Sequence, residues 1–142
     1  MKKVVMYTDG ACDPNPGTGG WAAILMHGPH KKELSGRQPD TTNNRMEMTA
    51  VIEGLRVLKE PCEVAIFTDS EYLRNGITTW LAGWKRKGWQ TASKTPVKNQ
   101  DLWQELDALT AQHTLSWEWV RGHADDPLNQ RADYLARTAR KH

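Results

Sequence analysis

Two apolar runs sixty residues apart set the frame of the chain: Val4-Val5-Met6-Tyr7-Thr8-Asp9-Gly10 and Val64-Ala65-Ile66-Phe67-Thr68-Asp69-Ser70. Both are nearly continuous in β-branched and aromatic residues rather than alternating, the pattern of strands covered on both faces. Each ends in Thr-Asp. Buried strands joined through a helix are usually parallel, and open α/β sheets place their sites beyond the carboxyl ends of such strands. If the two runs are neighbours, Asp9 and Asp69 emerge side by side, and like charges there repel unless a cation sits between them.

The remaining periodicities fill in around this pair. Strands are predicted over Trp21 to Met26 and roughly Lys32 to Gly36, joined by a hairpin through His27 to His30, so that the first three strands form an antiparallel meander. Thr41-Thr42-Asn43-Asn44 signals a helix start; Met48, Val51, Ile52, Leu55 and Leu58 follow at helical spacing, and Pro61 enforces the stop. A short helix is expected from Glu71 to Trp80, and another from about Gln100 to Gln112 with Leu102, Leu106 and Leu109 inward. Leu115, Trp117 and Trp119 alternate with Ser116 and Glu118 as a half-buried strand. Asp126-Pro127 offers an N-cap with proline at the first helical position, opening a last helix to Arg140. The order predicts a single α/β domain over residues 1–142: a five-stranded mixed sheet, three strands antiparallel and two added parallel, flanked by helices on both faces.

Composition adds three constraints. With 38% hydrophobic and 25% charged residues the chain reads as a globular domain with one core. No apolar run approaches a membrane span, Met1-Lys2-Lys3 leads straight into a strand rather than a signal peptide, and no membrane contact is expected. Cys12 and Cys62 have no metal-ligand spacing and are too few for a disulfide framework, which points to a reducing cytoplasm. The net charge of +2 hides an asymmetry. Tyr72 to Gln100 holds six cations and no acid, leaving 13 basic against 17 acidic residues elsewhere. A basic segment on an otherwise acidic chain suits a polyanionic partner, although charge alone equally suits a solvated surface.

Candidate chemistry collects at a few positions. Glu47 shares the helical face of Val51 and Leu55, and Asn44-Arg45-Met46-Glu47 also fits a capping box in which Glu47 reaches back to the cap. Asp133 shares a face with Asn129 and is also spaced to pair with Arg137 at i, i+4. His123 falls in the loop before the last helix, where a lone histidine is ordinarily a surface residue. Asp13-Pro14-Asn15-Pro16-Gly17-Thr18-Gly19-Gly20 is rich in turn formers but lacks the Gly-Lys-Ser/Thr ending of a P-loop. Each residue alone has a structural explanation. The set does not.

Asp9-Gly10, Asn43-Asn44-Arg45-Met46-Glu47, Thr68-Asp69-Ser70, Gly122-His123-Ala124, and then Asn129 and Asp133 stand in an order that resembles the ribonuclease H family, in its bacterial type-I branch. The resemblance runs from about Lys3 to Arg140. It implies a monomeric endoribonuclease for the RNA strand of RNA–DNA hybrids, yielding 5′-phosphate and 3′-hydroxyl ends. Asp9, Glu47, Asp69 and Asp133 would hold two magnesium ions, with manganese as a substitute, across the scissile phosphate. His123 matches a mobile histidine that relays a proton or helps product leave. Cys12, Asn15 and Glu47 would lie along the RNA strand and Asn43 and Asn44 near the DNA strand, with Thr42 and Asn99 in a DNA-phosphate pocket. Residues of about 78–99 match the family's basic protrusion, where Trp80, Trp84 and Trp89 interleave with Lys85-Arg86-Lys87. Helix packing is the competing role for the tryptophans, and for Trp80 the preferred one. In a helix the three consecutive cations cannot share one face, so two are expected to meet phosphates.

Two positions depart from the family pattern. Asp40 stands where a basic residue is expected beside the phosphate pocket, and Glu71 stands where glutamine is frequent. Two rival readings remain open: a DNA-cutting transposase, integrase or junction resolvase on the same fold, and a non-catalytic hybrid-binding module. Intact residues for reading 2′-hydroxyls argue against the first, and four acidic ligand positions against the second.

Overall fold

The computed structural model describes residues 1–91, 93–121 and 126–141. Five strands, β1 (Lys2–Cys12), β2 (Gly17–His27), β3 (His30–Thr41), β4 (Cys62–Thr68) and β5 (Thr114–Trp119), form one sheet in the order β3-β2-β1-β4-β5. The β1–β2 and β2–β3 pairs are antiparallel, and β1–β4 and β4–β5 are parallel. Val4 pairs with Val64 and Tyr7 with Phe67. Continued by two residues, that register brings Asp9 beside Asp69.

Strands β2 and β3 run longer than their apolar pattern predicts. Gly17–Gly20 reads as turn sequence, yet it continues β2 because glycine lets other backbone approach closely. A Cβ on Gly19 would press on Thr41 and Met46, and one on Gly20 on the backbone of the C-terminal helix.

Helix α1 (Asn43–Arg56) packs Met48, Val51, Ile52 and Leu55 on one sheet face, against Val4, Met6, Ala23, Leu25, Val64 and Ile66. Behind it lies α2 (Gln100–Thr110). This helix buries Trp103 and Leu106 completely, while Leu102 and Leu109, predicted inward, are only half-buried. The buried tryptophan lay outside the leucine spacing. The expected 71–80 helix is part of a longer helical run. It comprises an α-turn segment Glu71–Asn75, a π-turn Gly76–Trp80 and a further α segment Leu81–Arg86. Gly76 sits against the outer edge of the Trp103 six-membered ring, where no Cβ fits.

The C-terminal helix α3 (Pro127–Ala139) covers the opposite face over β1, β2 and β3. Its Leu128, Ala132 and Leu135 pack with Tyr7, Ile24 and Phe67. Its main contacts fall on β1, β2 and β3 rather than on β4 and β5. On that face Ala65 and Phe67 are therefore half-buried and Ser116 and Glu118 exposed or nearly so, where the sequence pattern of β4 predicted full burial. Asp126 caps α3 by accepting from the Leu128 N–H at 2.9 Å, and its other oxygen accepts from the Tyr7 hydroxyl at 2.7 Å. Burial and then this bond push the Tyr7 phenol up to about 12, while the same bond holds Asp126 below the usual carboxylate range. Both cysteines are free thiols. Among the described residues no helix is long and apolar enough to cross a membrane.

Candidate active site

The site begins where the parallel pairing of β1 with β4 ends. Asp69 directly follows β4, Asp9 lies beside it within β1, and α1 crosses near them with Glu47 close to both. Gly10 makes the crossing possible: a Cβ there would stand 2.5 Å from the Glu47 nitrogen. With only hydrogen at that position, the Gly10 N–H donates to Asp9 Oδ1 at 2.9 Å and to Glu47 Oε1 at 3.1 Å.

This overturns the capping-box alternative for Glu47. The N-cap of α1 is Thr42, whose Oγ1 accepts from the Arg45 N–H at 3.2 Å, so Asn44 already lies within the helix. Glu47 turns to the strand instead. Its second oxygen, Oε2, is buried without a hydrogen-bond partner. An orphaned carboxylate oxygen that deep is costly unless a proton or a cation satisfies it.

One carboxylate oxygen each from Asp9, Glu47 and Asp69 lies within 4.8 Å of the other two. Asp9 is pushed up to about 7, first by burial and then by the Asp69 charge. Glu47 is held well above the usual carboxylate range, first by burial and then by the charges of Asp9 and Asp69. Two buried acids held above their ordinary range beside the Asp69 charge suit a hard divalent cation, which would remove the cause of the shift. Asp133 lines the same cleft, together with Asn43, Asn44 and Glu71, but stands outside the cluster of three. Its Oδ2 accepts from Arg137 Nε at 2.9 Å, so the i, i+4 pair and the place in the cleft are both real. Asn129, one turn earlier, is buried. The Gly122-His123-Ala124 motif lies outside the described residues.

Around the cleft, the Asn15 side chain accepts from the Asn43 N–H at 3.1 Å and ties the β1–β2 turn to the start of α1. Cys12 Sγ contacts the carbonyl oxygens of Pro14 and Thr41. Thr42 and Asn99 are connected by a residue that sequence reasoning quoted in a motif without assigning a role. Arg45 reaches Asn99 Oδ1 at 3.2 Å and makes two bonds to Asp101, at 3.0 and 2.7 Å. Asn99, in a left-handed conformation, donates in turn to the Tyr72 hydroxyl, which also accepts from the Trp103 indole. Asp40 is exposed and left-handed, a conformation aspartate tolerates.

The tryptophans of the basic segment join this aromatic group. Trp80 lies edge-on to Tyr72 at 5.8 Å and tilted to Trp84 at 5.7 Å, and Trp84 is 5.5 Å from Trp103. Trp84 and Trp89 pack against the core, while Trp80 stacks on its rim; all three stay half-buried, so packing and exposure coexist in each. Lys85 pairs with Asp107 at 3.3 Å. Arg86 and Lys87 are exposed and in no ion pair among the described residues.

Comparison with known proteins gives one consistent result. The family model described as RNase H matches residues 1–141. Ribonuclease H of Cupriavidus necator is 61% identical over 136 residues, covering 96% of this chain and 94% of the relative. Ribonuclease HI of Neisseria meningitidis serogroup B is 61% identical over 133 residues, covering 94% and 92%. Among solved structures, LC9-RNase H1, a type 1 RNase H with the type 2 active-site motif, superimposes with a TM-score of 0.89 at 31% identity. That match covers 99% of this chain and 73% of the other. LC11-RNase H1 in complex with an RNA/DNA hybrid shares the fold, with a TM-score of 0.69 over 97% of this chain and 96% of the other at 21% identity.

Proposed function

The chain belongs to the RNase H family, and on that premise we propose that it hydrolyses the RNA strand of RNA–DNA hybrids, leaving 5′-phosphate and 3′-hydroxyl ends. The observation that carries the reading is the convergence of Asp9, Glu47 and Asp69 just beyond the β1–β4 pairing, with Glu47 Oε2 buried and unsatisfied. These hard oxygen donors fit magnesium, with manganese as a substitute. When bound, two such ions supply Lewis-acid charge on both sides of an in-line displacement and an activated water.

The protein's own part is to fix the donors. The Gly10 N–H orients Asp9 and Glu47 from one point. Asp133 completes the donor set when substrate and cations compete with Arg137 for its carboxylate. His123 serves as the proton relay or product-release group. Cys12, Asn15, Asn43 and Asn44 read the minor groove of the hybrid, where 2′-hydroxyls distinguish RNA from DNA.

Thr42 and Asn99 form a DNA-phosphate pocket bordered by Arg45, whose charge is shared with Asp101 in the free protein and turns to the phosphate on binding. Arg86 and Lys87 meet phosphates further along the duplex, with Trp80, Trp84 and Trp89 as the apolar base beneath them. The enzyme acts as a monomer in a reducing cytoplasm, where Cys12 and Cys62 stay thiols.

One duplex sequence offered as RNA–DNA, RNA–RNA and DNA–DNA, with and without magnesium, tests this directly. Magnesium-dependent cutting of the RNA strand in the hybrid alone is the expected result. DNA cleavage would favour the transposase-like alternative, and binding of the hybrid without cleavage would leave only a binding module.

A further inference from the structure

The carboxylate centre opens on one side into a second cleft of about 440 Å³ beyond the carboxyl ends of β4 and β5. The two clefts share Asp69, Ser70 and Glu71 as a common wall. Their electrostatics differ. The residues lining the carboxylate cleft include five acids and no lysine or arginine. The second cleft brings in Arg74, from the helical segment after β4, and Arg121, two residues past the end of β5. Both are exposed, and neither is in an ion pair among the described residues. Trp119 lines the cleft between them in sequence and stacks parallel on Trp117 at 5.1 Å. The Val120 N–H donates to the Thr68 carbonyl at 3.0 Å, which fixes the chain leading to Arg121 to the end of β4.

We propose that this second cleft is a subsite for a phosphodiester of the RNA strand next to the scissile one, with Arg74 and Arg121 as its cations and Trp119 as its apolar wall. The inference rests on the hybrid-cleaving reading above. If the scissile phosphate sits over Asp9 and Asp69, a neighbouring nucleotide of the same strand enters the adjoining cleft across the Ser70–Glu71 wall. A phosphate there would face Asp69 and Glu71, and two unpaired guanidinium groups are the chemistry that offsets such repulsion, since their planar donors match phosphate oxygens. An aromatic wall suits the ribose or base face of that nucleotide without regard to sequence. The cleft would thus hold the strand in register over the carboxylates, making both arginines positioning residues.

The test is a scan of hybrids in which one RNA-strand linkage at a time is a neutral methylphosphonate. The linkage is carried on a 2′-deoxynucleotide and compared with the charged phosphate of the same deoxynucleotide. In the wild-type enzyme, neutralising one linkage adjacent to the cleavage point should raise KM about tenfold. In the R74Q/R121Q double variant that same neutral linkage should cost less than twofold. The all-phosphate hybrid should then bind with a salt slope lower by roughly 0.7–0.9, and kcat should fall with it because the strand is no longer held in register over the carboxylates. The R74K/R121K variant should recover most of the salt slope, because charge is kept while the planar fork is lost. The single variants are scanned in parallel, so a double variant that melts early does not end the test. A penalty at every linkage alike, or one that persists in the arginine variants, overturns the subsite and reduces the arginines to a diffuse field. Failure of the wild-type enzyme to cut the unmodified hybrid would instead overturn the reading beneath it.

Discussion

The carboxylate centre and the basic segment from Tyr72 to Gln100 both concentrate charge of one sign, yet they hold it in opposite ways. Asp9 and Glu47 are buried to 7% and 5% exposure, locked by one backbone N–H, and resist ionising together. Arg86 and Lys87 stand in solvent, and water already stabilises their charge. A buried like-charge cluster costs folding free energy until something neutralises it, whereas an exposed cationic surface costs little and is screened by salt. The centre is therefore built for a compact, strongly held cation and for chemistry. On the proposed function, the segment serves weak, additive contacts to a long polyanion. Substitutions at the two should fail differently, the first in kcat and the second in the salt dependence of KM.

The largest expected effect breaks the centre alone. Asp69→Asn keeps the shape of the side chain but removes a donor charge, and should lower kcat on the order of 10³-fold or more. Hybrid affinity should stay within about threefold, since the substituted atom contributes little to ground-state binding. Single-turnover cleavage set beside binding of the same hybrid separates the two. Near-normal turnover in magnesium would remove Asp69 from the donor set.

Next comes the pH dependence of the cation-free protein. The native Asp9 carboxyl, raised to about 7, keeps a proton that the unfolded chain has already lost above about pH 4. Stability without cation should accordingly fall as pH rises between those values, the reverse of an ordinary salt-bridged aspartate. Magnesium at a hundred times its Kd should add about 2.7 kcal/mol at pH 8, roughly 5–10 °C in Tm, and much less at pH 5, where it must displace the proton. Thermal melts at both pH values, with EDTA and with magnesium, measure the difference. Equal stabilisation at pH 5 and pH 8 would mean that the cation does not bind at Asp9.

The centre was legible in the sequence and the surroundings of the basic segment much less so, for a physical reason. Asp9 and Asp69 end two runs whose apolar continuity gives each strand away, and parallel pairing follows from the helix between them. Local pattern therefore carries long-range geometry there. Glu47 was legible only in part, because a capping box and a cleft carboxylate share the same local spacing and Gly10 decides between them from another element. Arg45, Tyr72 and Asn99 meet across 27 to 54 residues of chain, and no periodicity encodes such a meeting. Trp103 was missed because the leucine stripe of its helix looked sufficient alone, while its partner is the absent side chain of Gly76. Arg74 counted only as one of the six cations of the basic segment and Arg121 had no assignment, until the ends of β4 and β5 brought them to one cleft.

A sharper version of the comparison lies within the basic segment. Lys85 is partly neutralised by Asp107, whereas Arg86 and Lys87 are free to meet phosphates. The R86A/K87A pair should flatten the salt dependence of KM by about 1.5 units, and Lys85→Ala alone by clearly less than one, with kcat unchanged in both. KM and kcat across a salt series read this out. If Lys85→Ala matched the pair, the Asp107 contact would open on binding and all three cations would engage.

The smallest effect concerns the contact that ties the C-terminal helix, and with it Asp133, to the strand bearing Asp9. Tyr7→Phe removes the bond to Asp126 but keeps the ring stacked on Phe67 at a centroid distance of 4.6 Å, and Asp126 still caps Leu128. The loss should be about 1 kcal/mol near neutral pH, the ordinary worth of a partly exposed hydrogen bond. Its pH profile identifies its origin. Asp126 has a lowered native pKa, so its share of the stability is present above the usual carboxylate value near 4 and is lost as pH falls through the native value. Tyr7 has a raised pKa of about 12, so its share is present below the ordinary phenol value near 10 and is lost as pH climbs toward 12. The difference between wild type and Tyr7→Phe should therefore be a plateau from about pH 5 to 9 that closes at both ends, measured by urea unfolding with CD detection. A gap that stayed constant down to pH 2 would assign the loss to packing around the ring, and Asp126 would then hold the helix by its cap alone.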